Sequence, residues 1–113
     1  MGEAAKPLSA ARQRLPDRRE YVLINFTTPD GFRHTAGLGY FDDDRLAEIF
    51  LKAEKIGTAI ETAARDSAVV ASLALQHGVP ASTVRQALTR NGNGTASGPL
   101  VTLLDLLALE TGP

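Results

Sequence analysis

The sequence predicts one α+β domain, a three-stranded antiparallel meander followed by three helices packed on one face of it. Three observations carry this. Residues 21 to 52 alternate apolar and polar side chains and are broken by turn signals. From Thr58 onward the spacing changes to helical, with its own start and stop residues. The chain has 113 residues, 43% of them apolar, which is enough to fill one core and not two.

The first twenty residues carry Lys6, Arg12, Arg14, Arg18 and Arg19 against Glu3, Asp17 and Glu20, and Pro7 and Pro16 would interrupt a helix. Residues 1–20 are therefore expected to be a flexible basic arm, and 21–110 the folded domain. From Tyr21, Val22, Ile24 and Phe26 alternate with Leu23, Asn25 and Thr27, and Pro29-Asp30-Gly31 supplies a turn. Phe32, His34, Ala36, Leu38 and Tyr40 then alternate with Arg33, Thr35, Gly37 and Gly39 as a returning strand. Asp42-Asp43-Asp44 turns the chain again, and Ala47, Ile49 and Leu51 alternate with Glu48, Phe50 and Lys52 as a third strand.

Thr58 and Glu61 form a capping box after Gly57, opening a helix that should reach His77. Its expected inward face is Ile60, Ala63, Ala64, Ser67, Val70, Ala71, Ala74 and Leu75, with Glu61 and Arg65 as an i,i+4 ion pair. Gly78 stops it, and Pro80 starts a second helix expected to run to about Arg90 with Val84, Ala87 and Leu88 inward. Residues 91–98 read as a flexible loop. Pro99 opens a last helix with Leu100, Leu103, Leu104 and Leu107 at core spacing, while Val101, Leu106, Ala108 and Leu109 extend the apolar surface to other sides. A helix apolar on so many sides predicts cover by a protein partner or by a second copy in a homo-oligomer.

Composition narrows the chemistry. With no cysteine there is no disulfide, thiolate metal site or thiol nucleophile, which fits the cytoplasm. No apolar run approaches the roughly 20 residues that cross a bilayer, so no membrane association is expected. The formal charge of −1 gives no global attraction to nucleic acid. His34 and His77 lie far apart without a ligand pattern around them, and the aspartates of 42–44 lack the calcium-loop spacing, so neither a metal nor a cofactor is implied. His77 suits a helix C-terminus, where a cationic imidazole favours the dipole. No serine has an evident base with an orienting acid, so catalytic residues are not assigned.

Two local patterns offer binding. The run from Ala74 through Gly78-Val79 to Val84 resembles a helix-turn-helix, in which Ser82, Thr83, Arg85, Gln86 and Arg90 would face nucleic acid and Arg85 and Gln86 could read base edges, with Arg18 and Arg19 as further contacts. The Gly92, Gly94, Ser97 and Gly98 loop precedes a helix, the generic geometry for a phosphate on free amides, and suggests a nucleotide-sensing module; it lacks the P-loop lysine and follows a helix where the nucleotide fingerprints follow a strand.

Several blocks in order also resemble a known family. They are Arg45-Leu46-Ala47-Glu48-Ile49-Phe50-Leu51, then Lys55 and Gly57, then Ala64 through Pro80, and finally Ala96-Ser97-Gly98-Pro99-Leu100 with Leu104-Asp105-Leu106. Over about residues 15 to 109 the chain resembles the TSCPD domain, found at the C-terminal end of adenosylcobalamin-dependent ribonucleotide reductases and as short bacterial proteins. The resemblance implies an accessory module that binds a protein partner, a ribonucleotide reductase subunit in the first instance, and it takes in the apparent helix-turn-helix. The cysteine motif that names the family is missing, with Ala96-Ser97-Gly98-Pro99 in the comparable region, so its metal role does not carry over. Ribonucleotide reduction itself requires cysteines, and a reductase label on this chain would be a name without that chemistry.

Overall fold

The computed structural model describes residues 11–15, 20–55 and 57–111. Its elements are β1 (Val22–Thr27), β2 (Arg33–Tyr40), β3 (Leu46–Ala53), α1 (Ala59–Gln76), α2 (Ala81–Ala87) and α3 (Pro99–Thr111). The strands form one antiparallel sheet in the order β1-β2-β3, with all three helices packed on the same face, as the periodicity predicts.

Local chemistry sets the connections. Between β1 and β2 the Gly31 amide donates to the Thr28 carbonyl at 2.9 Å with Pro29 at the second turn position, and Gly31 takes φ +92°, which favours glycine. Between β2 and β3, Asp44 sits at φ 68°, and the Asp43 carboxylate accepts from the Arg45 amide and guanidinium at 3.2 and 2.7 Å. The Arg45 guanidinium bond holds the Asp43 carboxyl below its ordinary range.

At the start of α1, Thr58 Oγ1 accepts from the Glu61 amide at 3.2 Å, while the Glu61 carboxylate accepts from the Gly57 amide at 2.8 Å, one residue earlier than in the usual box. Glu61 also pairs with Arg65 at 3.3 Å. At the far end, Gly78 donates to the Leu75 carbonyl and Val79 to that of Ala74, at 3.1 and 3.0 Å, and Gly78 takes φ +95°. This is a Schellman closure, for which glycine is suited. The His77 ring sits on the Leu73 carbonyl at 2.9 Å.

The core joins Phe26, Ala36, Leu38, Ile49 and Leu51 of the sheet to Ala64, Ala68, Ala71 and Leu75 of α1 and to Leu100, Leu103 and Leu104 of α3. Alanines on α1 let its backbone approach the sheet closely. Fully burying a residue such as Leu38 or Leu103 stabilises the fold by about 1.5–3 kcal/mol.

Two expectations are corrected. The inward face of α1 is Ala64, Ala68, Ala71, Ser72, Leu75 and Gln76, whereas Ile60, Ala63 and Val70 are exposed, Val70 to 67%. The cause is the free edge of β3. Ser72 Oγ accepts from the Ile49 amide at 2.8 Å and lies 3.1 Å from the Ile49 carbonyl, and Gln76 Nε2 donates to the Ala47 carbonyl at 3.0 Å. Satisfying buried backbone groups outweighs burying a valine. Second, α2 ends at Ala87, which is exposed where an inward side chain is expected, and not near Arg90: Leu88 is extended, which seats its side chain against the core, and Arg90 bridges to Ala96.

Candidate functional site

Three places gather the polar and apolar groups that the core does not use. The first is the junction of α2, the 90–96 hairpin and α3. Asp105 accepts from Arg85 Nε at 2.6 Å and from both terminal nitrogens of Arg90 at 2.9 and 2.7 Å. Two guanidinium groups on one carboxylate, chiefly that of Arg90, pull the Asp105 pKa down to about 2. The same bond raises that of Arg90. Arg85 and Arg90, the two arginines offered for nucleic acid in the helix-turn-helix pattern, are thus brought together, but onto an internal acid. Ser82, Thr83 and Gln86 are exposed on α2, a helix of only seven residues. Arg18 and Arg19 lie outside the described residues.

The glycine-rich loop is a closed hairpin. Asn91 donates to the Thr95 carbonyl at 3.0 Å, Gly94 to that of Asn91 at 2.8 Å, and Thr95 to Asn93 Oδ1 at 3.1 Å. Those amides are engaged within the loop itself. Gly92 and Gly94 lie at its exposed tip, while Ser97 and Gly98 line a cleft at the start of α3.

The second place is the sheet's outer side. Tyr21, Leu23 and Phe50 lie there over Gly37 and Gly39; a Cβ at Gly37 would touch Phe50 and Leu23 at 3.5–3.6 Å, and one at Gly39 would press on Tyr21 at 3.1 Å. The glycines therefore let the larger side chains lie across the sheet. Tyr21 meets Phe50 edge-on at 5.4 Å and donates to Glu48 at 2.8 Å. Leu23 is 73% exposed and Phe50 52%. The two edges of the sheet differ. Ser72 and Gln76 plug that of β3, and the Arg12 guanidinium and Gln13 amide in turn bond to Gln76, the latter at 2.7 Å. Among the described residues nothing hydrogen-bonds to the outer edge of β1, whose sequence Val22-Leu23-Ile24-Asn25-Phe26-Thr27 has no charge and no proline.

The third place is a cleft of about 400 Å³ between the β1–β2 turn, the start of α1 and the start of α3. His34, read from the sequence only as a lone strand histidine, lines it and is 3% exposed. Its ring stacks on Phe26, its cross-strand partner, with centroids 5.6 Å apart. Its Nδ1 lies 3.2 Å from the Phe32 carbonyl, and Nε2 has no hydrogen-bond partner among the described residues. The period-two pattern places His34 inward, but only the assembled helices show the cleft beside it.

No three His, Asp or Glu side chains among the described residues come together as metal ligands, and no described helix is long and apolar enough to cross a membrane. Fold and surfaces together define a small α+β module with an apolar cleft and one sheet edge that no described residue hydrogen-bonds. Its relatives are parts of a much larger protein. Over 69 residues the chain is 36% identical to a vitamin B12-dependent ribonucleotide reductase of Bradyrhizobium diazoefficiens, and over 82 residues it is 34% identical to one of Agrobacterium fabrum. These matches cover 61% and 73% of this chain but only 5% and 6% of the two relatives. The chain is therefore similar to a small part of B12-dependent ribonucleotide reductase. No family model and no solved structure matches it.

Proposed function

We propose that the chain is a TSCPD-like accessory module without catalysis of its own, and that it works by docking on a protein partner, a B12-dependent ribonucleotide reductase or one of its subunits. The observation that carries this reading is the contrast between the sheet's two edges. An uncharged apolar edge strand invites pairing with another chain unless something covers it, and proteins ordinarily blunt such edges. Here β3 is blunted by Ser72 and Gln76, whereas among the described residues nothing hydrogen-bonds to the outer edge of β1, beside the exposed Leu23 and Phe50. A partner strand added along β1 would gain main-chain hydrogen bonds from the edge and side-chain specificity from the apolar face. The similarity to reductases supports that choice of partner, and the lack of cysteine supports an accessory over a catalytic role.

A retention assay tests this. Tagged chain, its Leu23→Lys variant and a Val70→Lys control on the exposed side of α1 are immobilised and offered purified B12-dependent reductase from the same organism. Retention should survive Val70→Lys and be lost with Leu23→Lys. No retention by the unaltered chain, or equal retention by all three, would sink the proposal. The same edge suits a second copy of β1, and sedimentation of the chain alone reads that out as a homodimer sensitive to Leu23→Lys.

A further inference from the structure

We propose that, until a partner takes β1, a second copy of this chain does: two β1 strands pair antiparallel about a two-fold axis at Leu23, joining two three-stranded sheets into one. The alternation of hydrogen bonds fixes which groups β1 offers. The Thr28 amide donates to the Phe32 carbonyl at 2.9 Å, and the Glu54 amide to that of Arg33 at 2.9 Å. Carried along the register, the bonds to β2 come from Val22, Ile24 and Phe26, so Leu23, Asn25 and Thr27 turn their amides and carbonyls away from it. The same alternation turns Ala47 and Ile49 of β3 outward, the residues whose backbone groups Gln76 and Ser72 meet.

Side chains then select the register. Outward-facing residues must meet their own kind, so the axis passes through Leu23, Ile24 or Asn25. Centred on Leu23, Leu23 opposes Leu23 on the outer face and Val22 opposes Ile24 toward the helices, apolar against apolar at all three positions. Leu23 is 73% exposed and Val22 50%, so these side chains have the most surface left to bury. Centring on Ile24 sets Leu23 against Asn25, and centring on Asn25 sets it against Thr27; the already buried Phe26 gains little in either. No charge lies on β1, so pairing brings no like charges together. The assembly closes at two chains, because each copy uses its β1 edge in the pair and Ser72 and Gln76 occupy the edge of β3.

One short strand pair is a small interface, and such interfaces are weak and exchange readily. That suits displacement. An edge accepts one strand at a time, so the dimer and the docked complex exclude each other. This exclusion rests on the docking proposed above; the pairing itself does not.

The chain has no cysteine, so a disulfide formed after one is introduced joins two copies. Residues opposite each other in a hydrogen-bonded antiparallel pair have Cα atoms about 5.5 Å apart, within disulfide range, whereas the two residues 25 would lie about 14 Å apart and cannot bridge. At millimolar concentration under mild oxidation Leu23→Cys should cross-link and Asn25→Cys should not. In the unaltered chain, hydrogen exchange at the Leu23 and Asn25 amides should slow about tenfold where nine-tenths of the chain is paired, and more than at Ile24, which is already bonded to β2. Equal cross-linking of both variants, or unchanged exchange at Leu23 up to millimolar concentration, would overturn the pairing. The locked Leu23→Cys dimer should fail to retain the reductase that its reduced form retains, and retention by the locked dimer would overturn the exclusion. Absence of retention in both forms would strike the docking, and the exclusion with it, while the cross-link still reads the pairing.

Discussion

Replacing Asp105 with asparagine should destabilise the chain by about 1–1.5 kcal/mol at neutral pH, and the loss should vanish in acid. A carboxyl held at about 2 in place of 3.8 contributes about 2.4 kcal/mol when nothing screens it. Screening is substantial, because Asp105 keeps 28% of its side-chain surface exposed and Arg85 and Arg90 keep 39% and 33%, which takes the figure down by about half. The sign follows from the direction of the shift. The folded pKa lies below the unfolded one, so the contribution is complete above about pH 4 and drains away as pH falls toward 2. Urea melts of both proteins at pH 7, 5, 4, 3 and 2.5 read this directly: with a slope of about 1–1.5 kcal/mol/M the midpoints should differ by about 1 M at pH 7 and by only about a third of that at pH 2.5. Added salt should narrow the gap at pH 7. Equal midpoints at pH 7, or a gap that persists unchanged to pH 2.5, would refute the account of Asp105 as the acid that ties α2 and the 90–96 hairpin to α3.

Leu103→Ala, at a fully buried position under the sheet, should cost about 3 kcal/mol in the same melts, whereas Leu109→Ala at the exposed end of α3 should change little. Ser72→Ala strips the buried Ile49 amide of its acceptor and should cost about 1–3 kcal/mol, with faster hydrogen exchange at that amide as the specific readout. Thr58→Ala removes the cap of α1 and should cost about 1 kcal/mol, while Thr58→Ser should cost far less.

The parts legible in the sequence are those governed by near neighbours. The turn at Thr28 to Gly31, the cap at Thr58 and Glu61 and the stop at Gly78 each depend on residues within about five positions, and each stands as read. The alternation of β3 is equally legible, because a strand's period is fixed, and the structure buries its Ala47, Ile49 and Leu51 set. The face of α1 was not, since hydropathy ranks Val70 above Gln76 and knows nothing of an open edge on β3. The partners of Asp105 lie 20 and 15 residues away, and no local pattern joins them. His34 shows the same limit: its inward direction could be read, but the cleft beside it is built by α1 and by residues 97–101, which arrive only on folding.

The two edges also bear on how this chain relates to its reductase relatives. Plugging β3 takes two polar side chains on one helix, together with Arg12 and Gln13 bonding to the second of them. A protein that spends buried polar groups to protect one edge would ordinarily protect the other with a single charge, and β1 carries none over six residues. On the docking proposed above, the cover for β1 is supplied by a partner strand. In relatives of which the matched stretch is about one twentieth, a great deal of other chain exists to supply it. A lysine at Leu23 therefore separates two kinds of strand: one that is merely tolerated loses nothing, whereas one built to be covered loses its partner while the fold, measured by its urea midpoint, stays intact.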